Sequence, residues 1–200
     1  MTIPFLVEEV HMVRRHDIKP NHPLRKLFKR ALDFGLRANP QSKPEAGQYI
    51  EDQILCGFIH IDNLYKIRDA AGRKLDDIAD MLSEIGPASE PDDERGFLVH
   101  KYIGDYTLFM LGMFPTALLG RKGKEFILGG LVVPGSSLFE HYQIQGERSY
   151  GLAAEFTHGD IFRELSKNFH LYRNVLELTR MFLESTRNRE FLRARRIILE

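Results

Sequence analysis

The chain has 200 residues, of which 43% are hydrophobic and 28% charged, and 28 Lys+Arg balance 28 Asp+Glu. A chain of this size buries roughly 70% of its unfolded surface, so one domain with a large core is expected, and zero net charge excludes whole-molecule attraction to nucleic acid or anionic lipid. The single cysteine, Cys56, excludes an internal disulfide and a cysteine-based zinc site, and it points to a reducing compartment.

Residues 1–21 read as an N-terminal arm broken by Pro4 and Pro20. Its apolar run is short, acids interrupt it and basic residues follow it, which is not the order of a signal peptide. A cytoplasmic location is the resulting expectation. Residues 11–30 carry seven Lys/Arg against Asp17. His22-Pro23 then resembles a helix start with proline in the first turn. Leu24, Leu27, Phe28, Ala31 and Leu32 follow at helical spacing, and the segment ends near Asn39-Pro40.

From Glu45 the spacing of Ile50, Ile54, Phe58, Ile61, Leu64 and Tyr65 predicts a long helix. Gly72 is a candidate break, and Leu75, Ile78, Leu82 and Ile85 continue the pattern to the stop at Gly86-Pro87. Residues 76–94 hold eight Asp/Glu and no Lys/Arg, and 87–93 read as a linker between helices. Such charge blocks read first as solvated faces, and second as a basic end meeting an acidic or phosphate partner.

A third helix is predicted near 93–114, ending or kinking at Pro115. Leu98, Val99, Tyr102, Ile103, Tyr106, Phe109, Met110, Met113 and Phe114 fill one broad side, and Phe97, Leu108 and Leu111 sit among the polar residues of the other. A helix so nearly apolar all round belongs in the middle of the domain. It does not span a membrane: Tyr106–Gly120 gives fifteen uncharged residues, with Pro115 inside, where about 20 are needed. Gly104 and Gly112 predict the close approach of another backbone, and Gly146, Ser149 and Ala153 are the expected facing residues. Lys101 and Asp105 form an i, i+4 pair. His100 reads as a hydrogen-bonded core histidine and Tyr106 as a packed ring. The functional alternative is a polar trio at the mouth of an apolar pocket, with His100, Asp105 and Tyr106 as ligand-binding residues.

Residues 126–133 read as irregular or helical, with a short β-hairpin about Gly129-Gly130 as the alternative. Ser137 and Glu140 have capping-box spacing, and a helix runs on to about Phe156. Its buried face is Leu138, Phe139, Tyr142, Gly146, Ser149, Tyr150, Ala153 and Phe156. After a break at Thr157–Asp160, Ile161 to Leu183 predict one helix of more than six turns. Residues 187–200, with five Arg, read as a basic helix or tail. Phe191, Leu192, Arg195 and Ile198 are its candidate contact residues, for its own bundle, for an oligomer, or for lipid or nucleic acid.

The fold class is therefore all-α: an arm (1–21), a single-domain bundle of about six helices (22–186) and a C-terminal tail (187–200). Chemistry-bearing motifs are sparse. Glu8–His11 and Glu155–His158 have Glu-x-x-His spacing, but one lies in the arm and the other crosses a helix end, so no metal is expected. The nucleophile elbow, the phosphate-binding loop and His-Glu-x-x-His are absent. Gly120–Lys124 reads as a surface turn, and Cys56 as an inert core residue. No catalytic residue and no cofactor are expected. The sequence points to a non-enzymatic bundle that acts by protein–protein association, first of all with itself. A small apolar-ligand binder or sensor is the alternative, and a nucleic-acid partner is disfavoured.

Overall fold

The computed structural model describes residues 21–58, 78, 81, 94–119, 125–128, 131–134, 138–157, 159–189 and 191–192. The fold is an all-α helical bundle. In chain order, helix α1 spans Pro23–Arg37 and α2 spans Pro44–Tyr49. A π-helical segment, Ile50–Leu55, and a closing turn, α3 (Cys56–Phe58), follow directly. Then come α4 (Glu94–Met113), α5 (Pro115–Leu119), strands β1 (Glu125–Leu128) and β2 (Leu131–Pro134), α6 (Leu138–Thr157), α7 (Asp160–Lys167) and α8 (Phe169–Ser185).

α1 starts at His22, which is extended; its Nδ1 accepts the Leu24 N–H at 3.2 Å, and Pro23 supplies a preset first turn. A histidine thus fills the capping role usually held by Ser or Asp. At the other end, Asn39 donates to the Gly35 carbonyl at 2.9 Å and accepts from Asn174 at 3.0 Å, which ties α1 to α8.

The expected regular helix from Glu45 is modified by the π segment. In a π turn residues five apart stack, so Ile50 and Leu55 lie under one another, and both are buried with Ile54. The polar side of this segment is held by α1. Arg25 donates to Asp52 and lies 3.5 Å from Glu51, which Lys29 also approaches at 3.9 Å. Ile78 and Met81 are buried, while the linker at 87–93 lies outside the described residues.

From Val99 to Met113, α4 is buried at every position except the half-buried Lys101, as its sequence requires. It ends at Met113 because Pro115 brings no N–H to continue the ladder; α5 starts there instead. α4 packs on α6 and α8, and α1 covers α8 from the other side. β1 and β2 pair antiparallel, with Glu125 opposite Pro134 and Leu128 opposite Leu131, where a helical or irregular run was the first expectation.

Two further expectations are corrected. Residues 161–183 are not one helix: Asn168, at φ −116° and ψ 31°, separates α7 from α8. Its side chain donates to Glu164 Oε1 at 2.9 Å, the local competition that makes Asn a poor helix interior. The glycine notches of α4 also do not form one seam with α6. Eight residues turn a helix about 80° beyond two full turns, so Gly104 and Gly112 face different neighbours. Gly104 is filled by the Tyr150 ring of α6, which a Cβ would meet at 2.6 Å. Gly112 is filled by Leu176 of α8, and Gly146 receives Thr107 and Phe169.

Beyond α8, Arg187 adopts φ 49°, the left-handed stop of a helix. Asn188 then caps a new turn, with its Oδ1 accepting the Phe191 N–H at 3.0 Å.

Candidate functional site

The most concentrated chemistry lies where α4 meets α2 and α6. Asp105 is 3% exposed. Its Oδ1 accepts the Tyr49 hydroxyl at 2.8 Å and the Tyr150 hydroxyl at 2.9 Å. Its Oδ2 accepts Lys101 Nζ at 2.8 Å and lies 3.1 Å from the Tyr49 oxygen. A buried carboxylate without donors would cost several kcal/mol, and here three donors meet it. Each donor has a local cause. Lys101 sits one turn back on α4. Tyr49 is the last residue of α2, just before the π widening. Tyr150 reaches Asp105 because Gly104, the preceding residue, has no side chain to hold its ring off.

The cluster is walled by aromatics. Phe162 lies edge-on to Tyr49 at 5.6 Å and stacks on Tyr150 at 6.2 Å, and the Lys101 ammonium lies 5.4 Å from the Tyr49 ring centre. Burial, then the Asp105 charge, push both the Tyr49 and Tyr150 hydroxyls well above the usual tyrosine range.

A second cluster pins the start of α2 to α7 and α8. Glu164 accepts from Lys43 Nζ at 2.6 Å, from the Tyr172 hydroxyl at 2.9 Å and from Asn168. The Tyr172 oxygen in turn accepts the Lys43 N–H at 3.1 Å. Burial pushes the Glu164 carboxyl up, but the hydrogen bonds from Lys43, Tyr172 and Asn168 outweigh it and hold the carboxyl below its ordinary range. Burial and the neighbouring Glu164 push the Tyr172 hydroxyl up to about 12.

The three ligand-binding residues expected from the sequence meet three different surroundings. Asp105 belongs to the cluster above. His100 is buried against Phe156, with ring centres 6.2 Å apart. Its buried Nδ1 has no hydrogen-bond partner among the described residues. Burial, and then the Arg148 charge, lower its proton affinity, so the ring is neutral at neutral pH. Tyr106 lies between Tyr102, stacked at 6.1 Å, and Tyr142 at 6.2 Å. Tyr49 and Tyr150 were not singled out as site residues. The signal was present: buried tyrosine hydroxyls need acceptors and a buried aspartate needs donors.

Scanned against family models, curated proteins and solved structures, the chain matches none. Among the described residues no group of three or more His, Cys, Asp or Glu converges as a metal site, and no helix is long and apolar enough to cross a membrane. Glu155 is exposed, and Glu8, His11 and His158 lie outside the described residues, as does Ser137 of the capping box. Cys56 is buried. In the tail, Phe191 is buried and stacks on Phe114 at 6.5 Å, while Leu192 is 38% exposed. Arg195 and Ile198 lie outside the described residues.

The tyrosines give a pH prediction. A hydroxyl whose proton is held more tightly in the folded state stabilises the fold fully below the unfolded value near 10. That contribution is lost as pH rises through the folded values. Stability is expected to fall from pH 10 upward, across the interval to about 12 for Tyr172 and continuing for Tyr49 and Tyr150. Tyrosinate absorbance from Tyr49, Tyr150 and Tyr172 should rise only with unfolding. Early ionisation of all seven tyrosines in folded protein contradicts this.

Proposed function

We propose that the protein acts by association with protein surfaces, beginning with its own copies, and not by chemistry in its interior. The supporting observation is a contrast between inside and outside. The buried carboxylates, Asp105 and Glu164, are met by the chain's own donors, and the notches of α4 are filled by its own side chains. Large apolar side chains remain on the surface, Phe34 at 44% and Met181 at 52% exposed among them. The tail contributes less to this reading than the helical surface, because its Phe191 is packed on Phe114. Sedimentation velocity over a wide concentration range should show a reversible shift from monomer to a larger species. A strictly monomeric protein at the highest concentration overturns the proposal.

A second reading rests on one observation. The unpartnered, buried Nδ1 of His100 beside Phe156 would suit a small, largely apolar ligand with one polar group. Native mass spectrometry of protein taken gently from cells should then show a retained small molecule. Bare protein mass only would remove this reading.

A further inference from the structure

The association reading leaves open which surface is used and what sits on it. Resting on that reading, we propose that the surface is the seam between α1 and α8, and that the partner is a second copy of this chain related by a two-fold axis parallel to the seam.

The apolar centre is explicit. Phe34 of α1 and Phe182 of α8 meet with ring centres 5.7 Å apart, and Met181, the residue before Phe182, is 52% exposed. Leu27 and Phe182 are only partly buried. Aromatic and Met side chains at the centre with charges around them are the usual anatomy of an association surface.

The two helices run antiparallel. Asn39 bonds Asn174, Gly35 rests on Val175 and Thr179, and Phe34 meets Phe182. This ordering puts Arg37 level with Glu177. The outer face of α1 exposes Lys26, Lys29, Arg30 and Arg37, and its acid, Asp33, lies 3.8 Å from Lys29. The outer face of α8 exposes Glu177, whose carboxylate lies 3.8 Å from the half-buried Arg180, and Arg180 itself bonds the half-buried Glu184. The seam therefore has a basic side and a side with an exposed acid.

That asymmetry selects both the partner and the axis. A two-fold axis across the helices would oppose α1 to α1 and bring like charges together. An axis along the seam lays α1 of one copy over α8 of the other and keeps residues at the same height. Arg37 then faces Glu177 of the second copy, twice, around the Phe34–Phe182–Met181 centre. A self-complementary patch of this kind is what a closed dimer requires.

The test uses the full-length chain in sedimentation velocity, with thermal unfolding as a check on folding. Phe34→Glu should weaken the dimer at least about tenfold, the usual effect of a central contact. Arg37→Glu and Glu177→Arg should each weaken it, and the double variant should recover most of the loss. Added salt should weaken the wild type and blunt the charge reversals. A dimer unaffected by Phe34→Glu and Glu177→Arg overturns this surface and leaves the association reading standing. A wild type that stays monomeric at every concentration overturns both.

Discussion

Replacing Asp105 with alanine is expected to lower folding stability by about 3–5 kcal/mol, measured by urea unfolding with the slope unchanged. The change leaves the half-buried Lys101 ammonium without its acceptor, and two buried tyrosine hydroxyls lose theirs. Tyr150→Phe should cost less, about 1.5–3 kcal/mol, the range for one hydrogen bond to a charged group. The informative comparison is a fully apolar set: Asp105→Leu, Lys101→Met, Tyr49→Phe and Tyr150→Phe together. Buried ion pairs replaced as a unit by packed apolar groups often leave stability unchanged or raised. The set is therefore expected to recover most of the loss caused by Asp105→Ala. If it folds and still self-associates like the wild type, the cluster is structural. If it folds and loses association, the cluster takes part in function and the separation of a closed interior from a working surface is wrong.

Gly112→Val is the second large effect, expected near 3 kcal/mol of destabilisation, the upper part of the overpacking range. The added atoms would run into Leu176 Cβ, which cannot swing aside as a chain end would, and into the Arg173 carbonyl, 3.2 Å from the position of a Cβ. The helix-propensity gain over glycine, at most about 1 kcal/mol, does not offset this. Gly57 is the control. It is helical too, and a Cβ there meets nothing within 4 Å among the described residues. Gly57→Ala should therefore stabilise by about 0.5–1 kcal/mol. Equal thermal shifts for the two variants would contradict the claim that Gly112 is a packing notch.

Much of the bundle was legible because its signals are local. The near-continuous apolarity of 97–114 forecast the central helix, Pro23 marked a helix start and Pro115 the end of the central helix. The buried face of α6 follows its 3.6-residue pattern, with Leu138, Tyr142, Ser149, Tyr150 and Ala153 all inside. The i, i+4 pairing of Lys101 and Asp105 was legible for the same reason. The misses are tertiary. The π segment satisfies the same apolar spacing as an α-helix through Ile50 and Ile54, so its extra residue leaves no mark in the pattern. The break at Asn168 follows from a partner, Glu164, that also serves Lys43 and Tyr172 across the fold. The Asp105 cluster drew on Tyr49 and Tyr150, which a helical wheel files under hydrophobic surface. His100 shows the converse: a polar residue in a suggestive sequence position whose ring faces Phe156 instead of a hydrogen-bonding group.

The spacing of the Asp105 donors has a bearing on the order of assembly. Lys101 is four positions away and can pair as soon as its own helix coils, but Tyr49 is 56 positions distant and Tyr150 is 45. Water must serve the carboxylate until the two remote helices, α2 and α6, have both arrived. A one-residue slip of α6 would swing Tyr150 by about 100° and strand a dehydrated charge. The cluster thus proofreads the docking of three distant stretches of chain, penalising mismatched collapse at the moment the last solvent leaves.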